Sequence, residues 1–252
     1  MKERISLFII AKNEETKIAQ CIASAKDLVS EIVVVDAYSK DKTAEIAARA
    51  GALVFQRAFD GFTTQKNFAL SKVSSPWALN LDADERLSED LKKQIRALLP
   101  TTKHAGFNIL FSNYFLGKHM KHSGLNHEYH IRLVRTDKAH YEGGLVHEGL
   151  KVDGTLGTIN APVCHYSYDS IESYFRKFNK YTTLAAQQMH KNGRKCHVWL
   201  VLLTIPFEFL KRYILKLGIL DGMHGFLWAS FSSFYVFVKH MKLWALQQKD
   251  IK

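Results

Sequence analysis

Four short apolar runs, each followed by a segment with helical spacing, fill about the first 85 residues and leave few folds open. The runs are Ser6-Leu7-Phe8-Ile9-Ile10, Ile32-Val33-Val34-Val35, Leu53-Val54-Phe55 and Trp77 to Leu81. They are continuous rather than alternating, as strands buried on both faces are. Between them Ile18, Cys21, Ile22 and Ala25 recur at helical intervals, with Asn13 as a candidate N-cap before two glutamates. An alanine-rich helix follows Thr43 and closes at Gly51, and Phe62 to Ser71 carries a third. Strands alternating with helices over short loops predict an α/β fold with a doubly wound, mostly parallel sheet.

The ends of these strands are polar where their middles are not. The first runs into Asn13-Glu14, the second into Asp36, and the fourth into Asp82-Ala83-Asp84-Glu85. Ligands of open α/β sheets lie beyond the carboxyl ends of the strands, so these groups share one functional edge. Acceptors beside the first two strands can hold a base and ribose. The aspartate pair can hold Mg²⁺ or Mn²⁺, which take oxygen ligands and complete their shell with water and phosphate. Two aspartates separated by one residue are also common in ordinary loops, and Glu85, Glu89 and Asp90 also suit the positive end of a helix. Gln65, Lys66 and Asn67 lie near the start of the third helix, where they can cap it.

After a helix from Ser88 to Leu99, stopped by Pro100, the pattern changes. Phe107 to Phe111 and Ile131 to Val134 read as strands around a loop holding His119, His122, His127 and His130. That spacing fits no standard zinc motif, so these histidines are expected at the surface or facing substrate. Arg132 and Arg135 can reach phosphates through planar guanidinium forks, or remain solvated strand residues. A turn-rich segment leads to Val163-Cys164-His165-Tyr166.

From Ser170 the chain reads as helical. Tyr174, Phe175, Phe178 and Tyr181 form a stripe beside Arg176, Lys177 and Lys180, followed by apolar stretches at Val198 to Leu210 and Gly222 to Val238. The expected boundary is therefore 1–168 for the α/β domain and 169–252 for a basic helical region. Neither apolar stretch reaches the roughly 20 clean residues of a membrane span. Flanking lysines and tryptophans suit helices lying in an anionic membrane face; packing on the core or a dimer partner is the alternative.

Charge separates the two parts. Of a net +11 over 252 residues, residues 1–100 carry 15 basic and 14 acidic groups, while 171–252 carry 13 and 4. A hydrophobic content of 47% excludes a disordered chain. Cys21, Cys164 and Cys196 form no paired spacing, so neither a disulfide framework nor a zinc knuckle is indicated, and a reducing compartment fits. Lys2-Glu3-Arg4 runs straight into a strand, so no signal peptide is expected. Basic and aromatic residues interleave near Tyr174 to Lys180, but no nucleic-acid module is matched and no nucleic-acid partner is expected.

Three motifs in order, Phe8 to Glu15, Val33 to Thr43 and Leu79 to Glu85, resemble the GT-A fold of family 2 glycosyltransferases. Gly61-Phe62 with Gln65-Lys66-Asn67-Phe68-Ala69, Asp82 to Arg86, Val146-His147-Glu148 and His165-Tyr166-Ser167-Tyr168 resemble its bacterial lipopolysaccharide-core β-glucosyltransferase branch. Tyr38 stands where many members carry serine.

The resemblance implies a hexose, glucose in the first instance, moved with inversion from a UDP-sugar to a hydroxyl of a lipid-linked saccharide. It implies Glu148 as catalytic base. Asp82 and Asp84, with His165, would hold Mg²⁺ or Mn²⁺. Asn13, Glu14, Asp36, Gln65, Lys66, Asn67, Asp82, Arg132 and Arg135 would bind the nucleotide sugar. The site would work at an anionic membrane surface, peripherally on the cytoplasmic face of the inner membrane. A polyprenyl-phosphate sugar synthase on the same fold, and a nonenzymatic membrane adaptor, are the competing readings.

Overall fold

A computed structural model describes residues 4–125, 128–143 and 148–250. The strands are β1 (Ile5–Ala11), β2 (Glu31–Asp36), β3 (Leu53–Gln56), β4 (Trp77–Asn80), β5 (Glu85–Leu87), β6 (Gly106–Phe115), β7 (Lys118–His119), β8 (Glu128–Arg135), β9 (Ala139–Gly143), β10 (Glu148–Val152) and β11 (Leu156–Tyr168). The helices are α1 (Ile18–Ala25), α2 (Thr43–Arg49), α3 (Phe62–Leu70), α4 (Glu89–Leu98), α5 (Ile171–Lys191), α6 (Val198–Leu210) and α7 (Gly222–Lys249). Among the described residues the main sheet runs β3-β2-β1-β4-β8-β6-β11-β5, with β7 beside β6 and a separate β9–β10 ribbon.

The first four strands are parallel, as expected. Their side chains alternate between two cores. Leu7, Ile9, Val34, Trp77 and Leu79 point into one with Ile18, Ile22, Leu91 and Ile95. Phe8, Val33, Val35 and Ala78 point into the other with Ala69, Leu70 and Tyr141. Burial on both faces explains the continuous apolar runs. Beyond β4 the sheet becomes mixed, because β8 pairs with β4 antiparallel.

Two local expectations differ from the structure. Asn13 does not cap α1, which begins later at Ile18. Asn13 is left-handed (φ 56), a conformation asparagine tolerates, and its Oδ1 accepts from Lys40 N at 2.8 Å. The turn-rich segment before His165 is mostly the 13-residue strand β11. Gly157 and Pro162 dilute its strand signal, although Gly157, Ile159, Ala161 and Val163 alternate inward.

The chain divides into two compact units, Met1–Phe111 with His127–His165, and Ser112–Asn126 with Tyr166–Lys252. The segment around β7 thus belongs with the C-terminal helices rather than with the α/β unit. In that second unit Phe115, Met120, Tyr174 and Phe178 are buried together, with Trp228 and Phe231 against them. Ser170 and Ser173 form a capping box at the start of α5. Lys242 Nζ ties α7 to α5, donating to Asn179 Oδ1 at 2.7 Å and Thr183 Oγ1 at 2.8 Å. Among the described residues no helix is long and apolar enough to cross a membrane.

Candidate active site

β4 ends at Asn80, and the chain turns through Asp82-Ala83-Asp84 into β5. The turn is tied reciprocally: Glu85 N donates to Asp82 O at 2.9 Å, and Asp82 N donates to Glu85 Oε2 at 3.0 Å. Glu85, which as a sequence feature is merely a first-turn acid, is 1% exposed and braces the motif.

The cation that balances this acidic turn comes from β8. Arg132 Nη1 donates to Asn80 Oδ1 at 2.8 Å, and Nη2 donates to Asp82 Oδ2 at 3.0 Å and to Glu85 Oε1. Its guanidinium lies 5.1 Å from the Phe111 ring centroid. Tyr141 on β9 donates its hydroxyl to the same Asn80 Oδ1 at 3.1 Å. Lys66 on α3 sits 3.7 Å from Asp82 Oδ1 and over the Tyr141 ring. Burial alone would raise the Asp82 pKa, but the Arg132 and Lys66 charges outweigh it and hold the carboxyl well below the usual range. For Glu85 burial dominates, with Asp82 adding to it against Arg132, and its pKa is pushed up to about 7.

Asp84 faces a different partner. Its Oδ1 lies 3.5 Å from His165 Nε2, and the register places His165 opposite Glu85 across β11 and β5. Burial lowers the His165 pKa, but Asp84, Glu85 and Asp82 together raise it above the ordinary value. Phe111 contacts both His165 and His130 edge-on, at ring-centroid distances of 6.0 Å and 4.6 Å. Of the four loop histidines, His130 is therefore brought beside the site. His119 lies on β7, His122 beyond it, and His127 falls outside the described residues.

The other candidates divide. Asp36 is fully buried and accepts from both Ser39 N (2.9 Å) and Ser39 Oγ, so it shapes the loop after β2. That loop interlocks with the one after β1, through Asn13 N to Ser39 Oγ at 2.9 Å and Glu14 N to Thr43 Oγ1 at 2.7 Å. Gln65 is buried and receives Arg57 Nη1 at 2.6 Å. Asn67 bonds both backbone groups of Tyr141, at 2.8 Å each, and so joins α3 to β9. Arg135 is not brought to this edge. It stands opposite Trp77, at the start of β4 rather than its end, and its guanidinium pairs with Asp137. Glu148 opens β10 opposite Gly143, and only its backbone is described; Val146 and His147 lie outside the described residues.

Among the described residues no three or more acidic, histidine or cysteine side chains form a ready-made metal cage. Asp82 turns to Arg132 and Lys66, whereas Asp84 meets His165. A carboxylate, with water and phosphate completing the shell, suits Mn²⁺ or Mg²⁺, and an added imidazole fits the softer Mn²⁺ better than Mg²⁺.

Four parallel strands continued by an antiparallel half, with carboxylates beyond the fourth strand, make a mixed α/β fold rather than the mostly parallel sheet expected from the sequence. Residues 6–147 match glycosyl transferase family 2, and the chain belongs to that family. It is similar over its length to the lipopolysaccharide core biosynthesis glycosyltransferase LpsC of Rhizobium meliloti, with 31% identity over 95% of this chain and 92% of LpsC. An uncharacterised glycosyltransferase of Rickettsia typhi is 30% identical over 99% of this chain and 89% of its own. Among solved structures, Staphylococcus aureus TarS 1-349 in complex with UDP-GlcNAc is 22% identical, with 44% of this chain and 35% of that one covered and a TM-score of 0.40. Glucosyl-3-phosphoglycerate synthase from Mycobacterium tuberculosis, in complex with Mn²⁺, UDP-glucose and phosphoglyceric acid, is 23% identical, with 44% of each chain covered and a TM-score of 0.37.

Proposed function

We propose that this glycosyltransferase is an inverting, metal-dependent hexosyltransferase that moves a sugar, glucose in the first instance, from a UDP-sugar to a hydroxyl of lipopolysaccharide core or a related lipid-linked saccharide. The observation that carries the reading is the Asp84–His165 contact beyond β4, flanked by Lys66 and Arg132 on Asp82. Full-length similarity to LpsC supports the acceptor class.

The interlocked loops after β1 and β2, with Asn13, Glu14 and the Asp36-shaped turn, form the rim for uracil and ribose. Asp84 and His165 hold the cation, and Asp82 keeps Lys66 and Arg132 at the diphosphate. A bound Mg²⁺ or Mn²⁺ supplies charge to the leaving diphosphate. Glu148 takes the proton of the acceptor hydroxyl as its oxygen attacks the anomeric carbon from the face opposite UDP. The bond to the diphosphate oxygen breaks, and UDP departs with the bonding pair. The basic C-terminal region, 13 basic against 4 acidic residues from 171 on, suits peripheral work on the cytoplasmic face of an inner membrane.

The test is transfer from a panel of nucleotide sugars to detergent-dispersed core acceptor, using the parent chain and Glu148→Gln. UDP-glucose is the expected donor, and Glu148→Gln is expected to lose at least 100-fold in kcat. Undiminished turnover in Glu148→Gln would instead favour a phosphate acceptor, which needs no base.

A further inference from the structure

The C-terminal unit exposes apolar side chains in a pattern the proposed chemistry does not use. Along α6 and the π-helical turn Lys211–Leu215, residues Trp199, Leu203, Phe207, Leu210 and Ile214 are all exposed, three or four positions apart. That spacing is a single helical stripe. It ends in a turn where Leu215 is 70% exposed, Leu217 50%, Ile219 50%, Leu220 64% and Met223 68%.

These leucines are held out by a rigid frame. Asp221, 2% exposed, accepts from Lys121 N at 3.2 Å and His122 N at 3.0 Å, and its carbonyl accepts from Lys118 Nζ at 2.8 Å. Lys216 O accepts from Ser123 N at 2.8 Å. Gly225 packs so closely on Gly218 that a Cβ there would lie 1.8 Å from the Gly218 carbonyl oxygen. Leu217 is left-handed (φ 54), a conformation a leucine keeps only when its surroundings impose it. An exposed apolar cluster on an imposed backbone is a presented surface.

The charges around it select the occupant. Between residues 198 and 226 the acids are Glu208, paired with Arg212 at 2.6 Å, and the buried Asp221. Lys211 also reaches Glu208, at 3.5 Å, and Lys216 is the exposed cation of the turn, so that Lys211, Arg212 and Lys216 face only these two acids. A second copy docked by a two-fold axis would set these lysines against themselves. An anionic lipid surface attracts them, while the leucines enter the acyl boundary and Trp199 and Tyr213 suit the headgroup zone.

We propose that residues 215–223, the turn joining α6 to α7, are the element this protein inserts into an anionic bilayer, with the α6 stripe lying along the surface. No described helix is both long and apolar enough to cross, and the insertion proposed is shallow, about 5–10 Å. This deepens the membrane reading given above and rests on it for its purpose, a lipid-borne acceptor. Its test requires no turnover.

The experiment is vesicle flotation of the intact protein with phosphatidylcholine alone and with 30% phosphatidylglycerol. The parent is expected to float with the anionic vesicles. Leu215→Ser/Leu220→Ser, with an unchanged thermal midpoint, is expected to lose at least tenfold in bound fraction. Lys211→Gln/Lys216→Gln is expected to lose the salt-sensitive part of binding. Leu220→Trp is expected to gain quenching by brominated acyl chains relative to the parent, and this decides the matter if the serine variant does not fold. Unchanged flotation of a folded serine variant, or no added quenching, overturns the proposal. So does conversion of a dimer to a monomer by the serine pair with vesicle binding intact. Retained vesicle binding without transfer to a lipid-linked saccharide would fail the acceptor assignment alone.

Discussion

Arg132 on β8 donates to Asn80 at the end of β4 at 2.8 Å, so the first antiparallel strand of the sheet supplies the cation that orders the acidic turn. The same guanidinium reaches Asp82 and Glu85. A planar fork can serve three acceptors in this way, whereas an ammonium is a point charge. Arg132→Lys is therefore expected to lose on the order of 100-fold in kcat, the scale of removing a preorganised electrostatic contact. Arg132→Ala strands Glu85 in a buried site and is expected to lose about 3–5 kcal/mol of stability. Steady-state kinetics and urea unfolding separate the two effects.

The Asp84–His165 pair makes a prediction about metal. If the two hold the cation with substrate phosphates, then Asp84→Asn and His165→Ala should each raise the Mn²⁺ concentration for half-maximal activity by tenfold or more. Arg135→Ala, on the other end of the β4–β8 pair, should leave it unchanged. Activity titrated with Mn²⁺ after chelation gives the answer, and an unshifted curve for both site variants would remove the assignment.

The parallel half was legible because its signal is local. Buried strands carry continuous apolar runs, and each of the four predicted runs is a strand of the sheet. The acidic turn was legible for the same reason. Its support was not: Asn80, Arg132 and Tyr141 meet only through the β4–β8 pairing and the return of β9, contacts 50 or more residues apart. Arg132 and Arg135 look alike as strand arginines. Their separation depends on register, which sets Arg135 opposite Trp77 and Arg132 near the strand end. Asn13 misled because asparagine serves both N-caps and left-handed turns. β11 was missed because Gly157 and Pro162 interrupt an otherwise alternating strand.

Asn67 behaves as a piece of backbone. Its amide makes both hydrogen bonds that a neighbouring strand would make to Tyr141, at 2.8 Å each. Asn67→Ala leaves that N–H and C=O without these partners and is expected to lose about 2 kcal/mol. Because Tyr141 also bonds Asn80 and lies under Lys66, kcat should fall as well. Tyr141→Phe keeps the backbone bonds and should lose less stability, about 1 kcal/mol. Thermal denaturation of the two variants tests the order.

Asp27 is one local source of acid sensitivity away from the site. Asp27 accepts from Lys92 at 2.8 Å and Arg96 at 2.6 Å, and these bonds lower its pKa to about 2. A folded pKa below the unfolded value means stability that is fully present above about pH 4 and lost as pH falls towards 2. The Asp27 side chain is 51% exposed, so solvent screening limits the effect to under about 1 kcal/mol. Asp27→Asn should be less stable than the parent at pH 7 and equal to it below pH 2, as read by urea unfolding at each pH.

The last prediction concerns the donor rim. Asp36 is sealed from solvent, yet its carboxylate fixes Ser39, whose hydroxyl receives the Asn13 N–H across the two strand ends. Removing the carboxylate should loosen both loops at once without touching the sheet core. Asp36→Ala is therefore expected to weaken UDP binding by at least tenfold, or about 1.4 kcal/mol. Ser39→Ala, which keeps the carboxylate and its bond to Ser39 N, should weaken it less. Titration calorimetry with UDP and Mn²⁺ distinguishes the cases. Equal affinity in Asp36→Ala and the parent would mean that the loop after β2 does not form the nucleotide rim. A loss in Ser39→Ala as large as in Asp36→Ala would place the effect in the hydroxyl bridge between the loops.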